Sequence, residues 1–273
     1  MMCLMSSTDP GFLRDHQYKD ASNLQARIDL HGRYSTNPQP FWTWAFDFLD
    51  LPENAEVLEV GCGTGMFWQV NADRVPPGWR VTLTDLSAGM LSSARNNLAA
   101  VTQIVDYQVA DVQLLPFPDA SFDAVLANFM LYHVPDRRQG IAEIARVLKP
   151  GGLLIAATNG SAHLREIRDL ERRFGIETLF GATTSAQAFG LQNGAAQLEP
   201  YFDQIVCERH ENHLAVPAAD PVIAHIRSKL ADRARVADRL EVVRAHIVKH
   251  IEQFGEFRVT KASGLFVARR SRG

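Results

Sequence analysis

Between residues 56 and 157 the chain alternates short apolar, β-branched runs with longer stretches whose apolar positions recur every three or four residues. The runs at 56–60, 80–84, 104–109, 122–127 and 152–157 read as strands, and the β-branched run at 57–60 as a buried parallel one, because near-continuous hydrophobicity leaves no side for water. Stretches near 66–73, 87–99 and 137–148 read as the helices between them. This alternation predicts an α/β domain whose parallel strands are joined by right-handed crossovers. Upstream, residues 1–40 are polar and broken by prolines, with a helix-like patch around 21–30, and are expected to form an N-terminal segment or lid. The aromatic run at 41–49 predicts a helix packed under the first strand, and 41–273 is expected to be one domain.

After residue 159 the pattern changes. A charged amphipathic helix is expected over 164–174, and a loop or short helix over 183–191. Residues 202–207 with 213–216 read as a sixth strand. Residues 220–253 read as one helix, with Leu240, Val243, Ile247, Ile251 and Phe254 spaced as a single apolar stripe. The last apolar runs, 257–260 and 265–268, read as one antiparallel strand with a bulge or turn at Ser263-Gly264.

Chemistry enters at the end of the first strand. Val57-Leu58-Glu59-Val60-Gly61-Cys62-Gly63-Thr64-Gly65 pairs a buried strand with a three-glycine turn, where the missing Cβ atoms permit a sharp bend and close approach of a ligand. Asp85 closes the next apolar run, Val81-Thr82-Leu83-Thr84-Asp85, about 20 residues on, where a carboxylate accepts both hydroxyls of a ribose. The dinucleotide fingerprint G-x-G-x-x-G fails because Met66 stands in the place of its third glycine. No Lys follows the cluster, so the phosphate-binding loop fails too. Glu59, just ahead of the turn, is poorly placed for a pyrophosphate. A nucleoside with an amino-acid tail, such as S-adenosylmethionine, fits better, since its ammonium is attracted to a carboxylate or to carbonyls at the strand end.

Composition narrows the partners. A chain of 273 residues with 46% hydrophobic residues is long enough for one large α/β domain with insertions. A formal charge of −3 gives no electrostatic case for nucleic acid. No apolar run approaches the ~18 residues that span a bilayer. The opening Met1-Met2-Cys3-Leu4-Met5 lacks the basic region of a secretory signal. Cys3, Cys62 and Cys207 form neither a disulfide framework nor a metal spacing, so a cytoplasmic protein acting on a small molecule is expected, with no membrane or nucleic-acid partner.

The glycine stretch resembles motif I of the class I S-adenosylmethionine-dependent methyltransferases, particularly the small-molecule group of the ubiquinone and menaquinone methyltransferases. Asp85-Leu86-Ser87-Ala88-Gly89-Met90-Leu91 is similar to that family's acidic post-I motif. Ala110-Asp111-Val112 with Leu115-Pro116-Phe117 resembles the block whose Asp contacts the adenine amino group. Phe122-Asp123-Ala124-Val125-Leu126-Ala127-Asn128 with Leu131-Tyr132-His133-Val134 is similar to the fourth strand and its active-site turn. Arg146-Val147-Leu148-Lys149-Pro150-Gly151-Gly152 resembles the turn into the fifth strand. The five blocks stand in family order over roughly residues 45–160. The resemblance implies a Rossmann-like seven-stranded sheet, mostly parallel with its final strand antiparallel. Helical insertions near 160–200 and 217–255 would then form a lid.

It also implies a residue set. Gly61, Cys62, Gly63 and Gly65 form the cofactor turn, Asp85 holds the ribose, Asp111 with Val112 reads the adenine, and Leu86 and Met90 supply apolar walls. Glu59, costly inside an apolar strand unless paired, is expected to serve the cofactor tail, in part through neighbouring groups. Asn128 ends the fourth strand at the switch region of the sheet, where ligands bind. His133 is a candidate base, set against a capping role, and Tyr34 a candidate cover for the sulfonium. His246 and His250 share a helix face but lack a third ligand, so a solvated face is the better reading there. Asn128-Phe129-Met130-Leu131 is no Asn-Pro-Pro-Tyr tetrad, which counts against a nucleic-acid base as acceptor. Two alternatives stay open: transfer or cyclisation of the aminobutyryl part of the same cofactor, releasing methylthioadenosine, and non-catalytic cofactor binding.

Overall fold

In the computed structural model, residues 29–176, 185–230 and 234–271 are described. Seven strands form one sheet: β1 (Glu56–Val60), β2 (Arg80–Asp85), β3 (Ile104–Val109), β4 (Phe122–Leu126), β5 (Leu148–Asn159), β6 (Phe202–Val216) and β7 (Phe257–Arg270). Their order is β3-β2-β1-β4-β5-β7-β6. The pairs among β1 to β5 are parallel, and β7 runs antiparallel to both β5 and β6. The order reverses at β1 and β4, which places a crevice beyond the C-terminal ends of those two strands.

Side chains alternate through the sheet to feed two cores. Val57, Ala124, Leu126, Leu153 and Ile155 face one side, where α1 (Phe41–Phe46), α2 (Met66–Val70) and α3 (Ala88–Asn97) cover them with Phe41, Phe46, Phe67, Trp68 and Leu91. Leu58, Val60, Val125, Leu154 and Ala156 face the other side, under α4 (Arg137–Val147) and the short α6 (Ser185–Ala188) and α7 (Gly194–Leu198). Burial on both faces is why these strands read as unbroken apolar runs.

The hairpin of β6 and β7 departs from the expected picture. β7 leaves β5 at the Asn159–Ser263 pair, yet pairs with β6 for six more residues, to Val216–Phe257. At about 3.3 Å per residue this projects the hairpin ~20 Å past the edge of the parallel strands. A third core sits on the projection, built from α5 (Arg165–Arg173), α8 (Ala219–Arg227), α9 (Ala237–Phe254), Leu30, Leu214 and Val259.

Several expectations are corrected here. The single helix over 220–253 is two, α8 and α9, with a 3-10 turn at Ala234–Val236 before the second. A continuous helix would run about 50 Å, well past the core it has to cover; the break lets Val222 and Ile226 share one core with Leu240 and Val243. Phe254, placed on the apolar stripe, is 61% exposed. No bulge occurs at Ser263-Gly264, which pair continuously on both sides; the irregularity lies between Asp203 and Val206. Gly264 serves close strand approach instead, since a Cβ there would run into the Glu208 carbonyl oxygen. The sixth strand is one unbroken element, and residues 29–34 are helical, whereas most of the 21–30 patch lies outside the described residues.

Candidate functional site

β1 ends in the glycine turn, and the three glycines hold it by backbone angle. Gly61, Gly63 and Gly65 have φ of +66°, +57° and +75°. That region costs an ordinary L-residue roughly 1–2 kcal/mol. A Cβ on Gly61 would stand 2.9 Å from Met130 Cβ, and one on Gly65 2.5 Å from Leu98 Cδ1. On Gly63 it would meet nothing within 4 Å, so this is the glycine at which the turn leaves open room. Cys62 is buried; its N–H donates to the Thr84 carbonyl at 2.9 Å, tying the turn to β2. Burial, and then the negative charges of Glu59 and Asp85, raise its thiol well above the ordinary range, which makes it an inert packing group.

Asp85 reaches back across the turn. Its Oδ2 accepts from Gly63 N–H at 2.9 Å, and its Oδ1 from Ser87 N–H at 2.8 Å. Burial raises its pKa, while the two N–H donors pull it down. Each carboxylate oxygen has two lone pairs, so one is left on each for a diol. Leu86 is half-buried beside it, and Met90 is buried in the first turn of α3. Ala110 N–H donates to the Asp85 carbonyl at 3.1 Å and brings the next loop alongside. There Asp111 accepts from Gln113 N–H at 2.9 Å, and Val112 is buried in the second core.

Beneath the turn lies a buried polar triad. Glu59, 2% exposed, accepts from the Trp68 indole N–H at 2.6 Å through Oε2 and from Asn128 Nδ2 at 2.8 Å through Oε1. Burial pushes its carboxyl up to about 7, with the two donors lowering it and the Asp85 charge raising it. Both Glu59 oxygens engage protein groups and the side chain is buried, so Asn128 stands between Glu59 and the open end of the sheet. The Asn128 carbonyl oxygen is buried and makes no hydrogen bond among the described residues. Because Glu59 pairs with Leu126, Asn128 lies level with Gly61 at the open end of the sheet.

The next residue was not legible beforehand. Phe129 has φ +53° without being glycine, and its N–H donates to Ala157 O at 2.9 Å. Such strain persists only where the surroundings over-determine it; here Phe41 and Trp42 pack on its ring at centroid distances of 5.1 and 5.5 Å. Trp68 was also missed, because a tryptophan in an apolar run reads as core and its indole partner is visible only in three dimensions.

His133 ends a 3-10 turn, Leu131–His133, with its N–H on the Met130 carbonyl at 2.8 Å and its ring against Tyr132. Since Met130 packs beneath Gly61, this turn borders the site. Tyr34 packs against the third core, where the following residue Ser35 bridges to Leu214 of β6. His210 lies buried between Phe41 and Trp44 with Nε2 2.9 Å from Gln39 O. His246 packs on Phe174, and His250 on Phe254 and Phe257.

The strand order, the glycine turn and the acidic residue at the end of β2 now stand together. This is a class I methyltransferase fold. Residues 58–156 match the family described as a methyltransferase domain. Over 144 residues the chain is 39% identical to the ubiquinone/menaquinone biosynthesis C-methyltransferase UbiE of Hahella chejuensis, covering 51% of this chain and 58% of that one. Over 114 residues it is 35% identical to the malonyl-[acyl-carrier protein] O-methyltransferase of Serratia marcescens, covering 42% of each. The match thus spans about half the length of these curated relatives. Among solved structures, the YcgJ protein of Bacillus subtilis superposes with a TM-score of 0.59 at 17% identity, covering 85% of this chain and 98% of that one. The matched methyltransferase domain holds the glycine turn and β1 to β4 with most of β5, and β6, β7 and the helices packed on them lie beyond it.

Proposed function

We propose that the protein binds S-adenosylmethionine in the glycine turn and catalyses transfer of its methyl group to a small-molecule acceptor. The observation that carries this reading is the placement of Asp85 and Asn128 on either side of the turn. Asp85 offers two oxygens to a ribose, and Asn128 offers a buried carbonyl oxygen that lacks a donor. Gly63 lets a ligand approach the backbone between them. Asp111 with Val112 would meet the adenine, with Leu86 and Met90 as apolar walls.

The bound cofactor supplies an electrophilic methyl on a positive sulfur. The protein's share is proximity, alignment and exclusion of water. Phe41, Trp42 and Phe129 form an aromatic wall beside the β4 end, suited to keeping the reacting atoms dry. His133 borders the site and would accept a proton from an acceptor hydroxyl or amine. The projecting hairpin and its helices, which lie outside the matched methyltransferase domain, would choose the acceptor. With Cys62 and Cys207 both free thiols, we assign the protein to the reducing cytoplasm.

Incubation with S-adenosylmethionine and a panel of phenols, amines, acids and quinols, followed by mass spectrometry of the nucleoside product, tests this. S-adenosylhomocysteine formed in step with a methylated acceptor supports it. Methylthioadenosine formed enzymatically without any acceptor would overturn it in favour of aminobutyryl chemistry.

A further inference from the structure

We propose that Trp68 and Glu59 are positioning residues that set which way the Asn128 side-chain amide faces, so that its carbonyl oxygen, not its NH2, is presented to the ammonium group of the ligand's amino-acid tail. The inference rests on the cofactor reading above and extends it to residues outside the glycine turn.

The argument is one of donors and acceptors. An indole N–H only donates, so Glu59 Oε2, 2.6 Å from Trp68 Nε1, has to remain an acceptor. Oε1, 2.8 Å from Asn128 Nδ2, then decides the amide. While Glu59 is ionised, Oε1 accepts from the Asn128 NH2, and the amide oxygen is turned away from Glu59, buried and with no hydrogen bond of its own among the described residues. Asn128 itself follows β4, level with Gly61 in the register of the sheet. A buried carbonyl oxygen left without a donor is costly, and an ammonium N–H satisfies it.

When Glu59 takes up a proton, Oε2 is already committed to the indole, so the proton resides on Oε1 and confronts the Asn128 NH2. The amide turns over, accepts from Oε1–H, and presents its NH2 to the site, where it opposes an ammonium. Glu59 titrates at about 7, mainly through burial. The other ionisable groups acting on it from the packed elements are Asp85 at the end of β2, which raises its pKa, and the Cys62 thiol of the turn, which stays protonated. The orientation of Asn128 is therefore coupled to pH in the physiological range.

Calorimetric binding from pH 6 to pH 8 tests this with two probes that share a nucleoside: S-adenosylhomocysteine, which carries the amino-acid tail, and methylthioadenosine, which lacks it. The Kd of S-adenosylhomocysteine is expected to rise at least fivefold from pH 8 to pH 6, while that of methylthioadenosine stays within twofold. In Glu59→Gln the amide carbonyl has to face the indole and its NH2 has to face Asn128, so tail binding is weak and flat with pH. In Trp68→Phe the proton is free to move to Oε2, so affinity at pH 8 is kept and the pH dependence is lost. Should the variants misfold, the Trp68 indole N–H resonance of the unliganded wild-type protein gives an independent reading and is expected to titrate near pH 7. A flat S-adenosylhomocysteine profile, an equal slope for both probes, or an indole resonance unmoved across this range overturns the inference. If neither probe binds at any pH, the cofactor reading falls and takes this one with it.

Discussion

Asp85→Asn separates a structural carboxylate from a ligand-binding one. The native side chain accepts from Gly63 N–H through one oxygen and from Ser87 N–H through the other. An asparagine has a single acceptor oxygen, so one of these two donors would face its NH2. The lost bond costs about 1 kcal/mol, and relief from burying a charge offsets part of that. The raised pKa of Asp85 shows that burial outweighs its donors, so the charged form is already unfavourable in the fold. Net stability should therefore move by no more than ~1 kcal/mol. A bound ribose would instead lose a charge-assisted hydrogen bond and meet a donor where it expects an acceptor. The cost is about 1.5–3 kcal/mol, or roughly 10- to 150-fold in Kd. Titration calorimetry with S-adenosylmethionine, run beside urea denaturation of the same samples, reads both quantities. Affinity within threefold of wild type, with stability down by 2 kcal/mol or more, would show that Asp85 only braces the turn.

Three further substitutions probe the frame around the site. Arg146 makes a two-pronged ion pair with Glu143 at 2.7 and 2.8 Å and also donates to the Leu115 and Phe117 carbonyls, which hold the loop following Asp111. Arg146→Met should cost roughly 2–4 kcal/mol in chemical denaturation. Hydrogen bonds from Arg146 hold the Glu143 carboxyl below its usual range, so its contribution is present above the unfolded-state pKa and fades on acidification; the gap between variant and wild type should narrow with it. A gap that widens toward acid would contradict this account. The Lys261 ammonium has no hydrogen-bond or ion-pair partner among the described residues, and burial lowers its pKa to about 8. Below pH 8 the strain of the buried charge is present in full, and stability recovers as pH rises toward the unfolded lysine pKa. Lys261→Met should therefore stabilise the protein by about 1–2 kcal/mol at pH 7, after allowing for partial exposure, with the advantage shrinking by pH 9.5; equal stability at pH 7 would refute it. Gly65→Ala combines a left-handed backbone with a clash on the buried Leu98, for an expected loss of ~2–4 kcal/mol read as a fall in Tm.

The five parallel strands and the glycine turn were legible because each is a local pattern. A strand buried on both faces is apolar except where a polar side chain finds a buried partner, and a backbone at positive φ favours glycine, so Val57 to Gly65 carries its structure on its face. Asp85 and Asn128 stood out for a related reason, as polar residues that follow apolar runs. The hairpin and lid were read less well. The stripe on α9 named Leu240, Val243 and Ile247 correctly as buried, but periodicity could not say where α8 stops, because that is decided by the core both helices share.

Local pattern, then, carried most of the strands and the backbone freedom of the turn, since these depend on neighbours a few residues apart. Only the tertiary structure decided what the polar groups do. Glu59 became a buried bridge between Trp68 and Asn128, nine and sixty-nine residues away, when β1, α2 and the end of β4 packed together. A carboxylate's charge, partners and direction follow from the groups that displace its water, and those groups are distant along the chain.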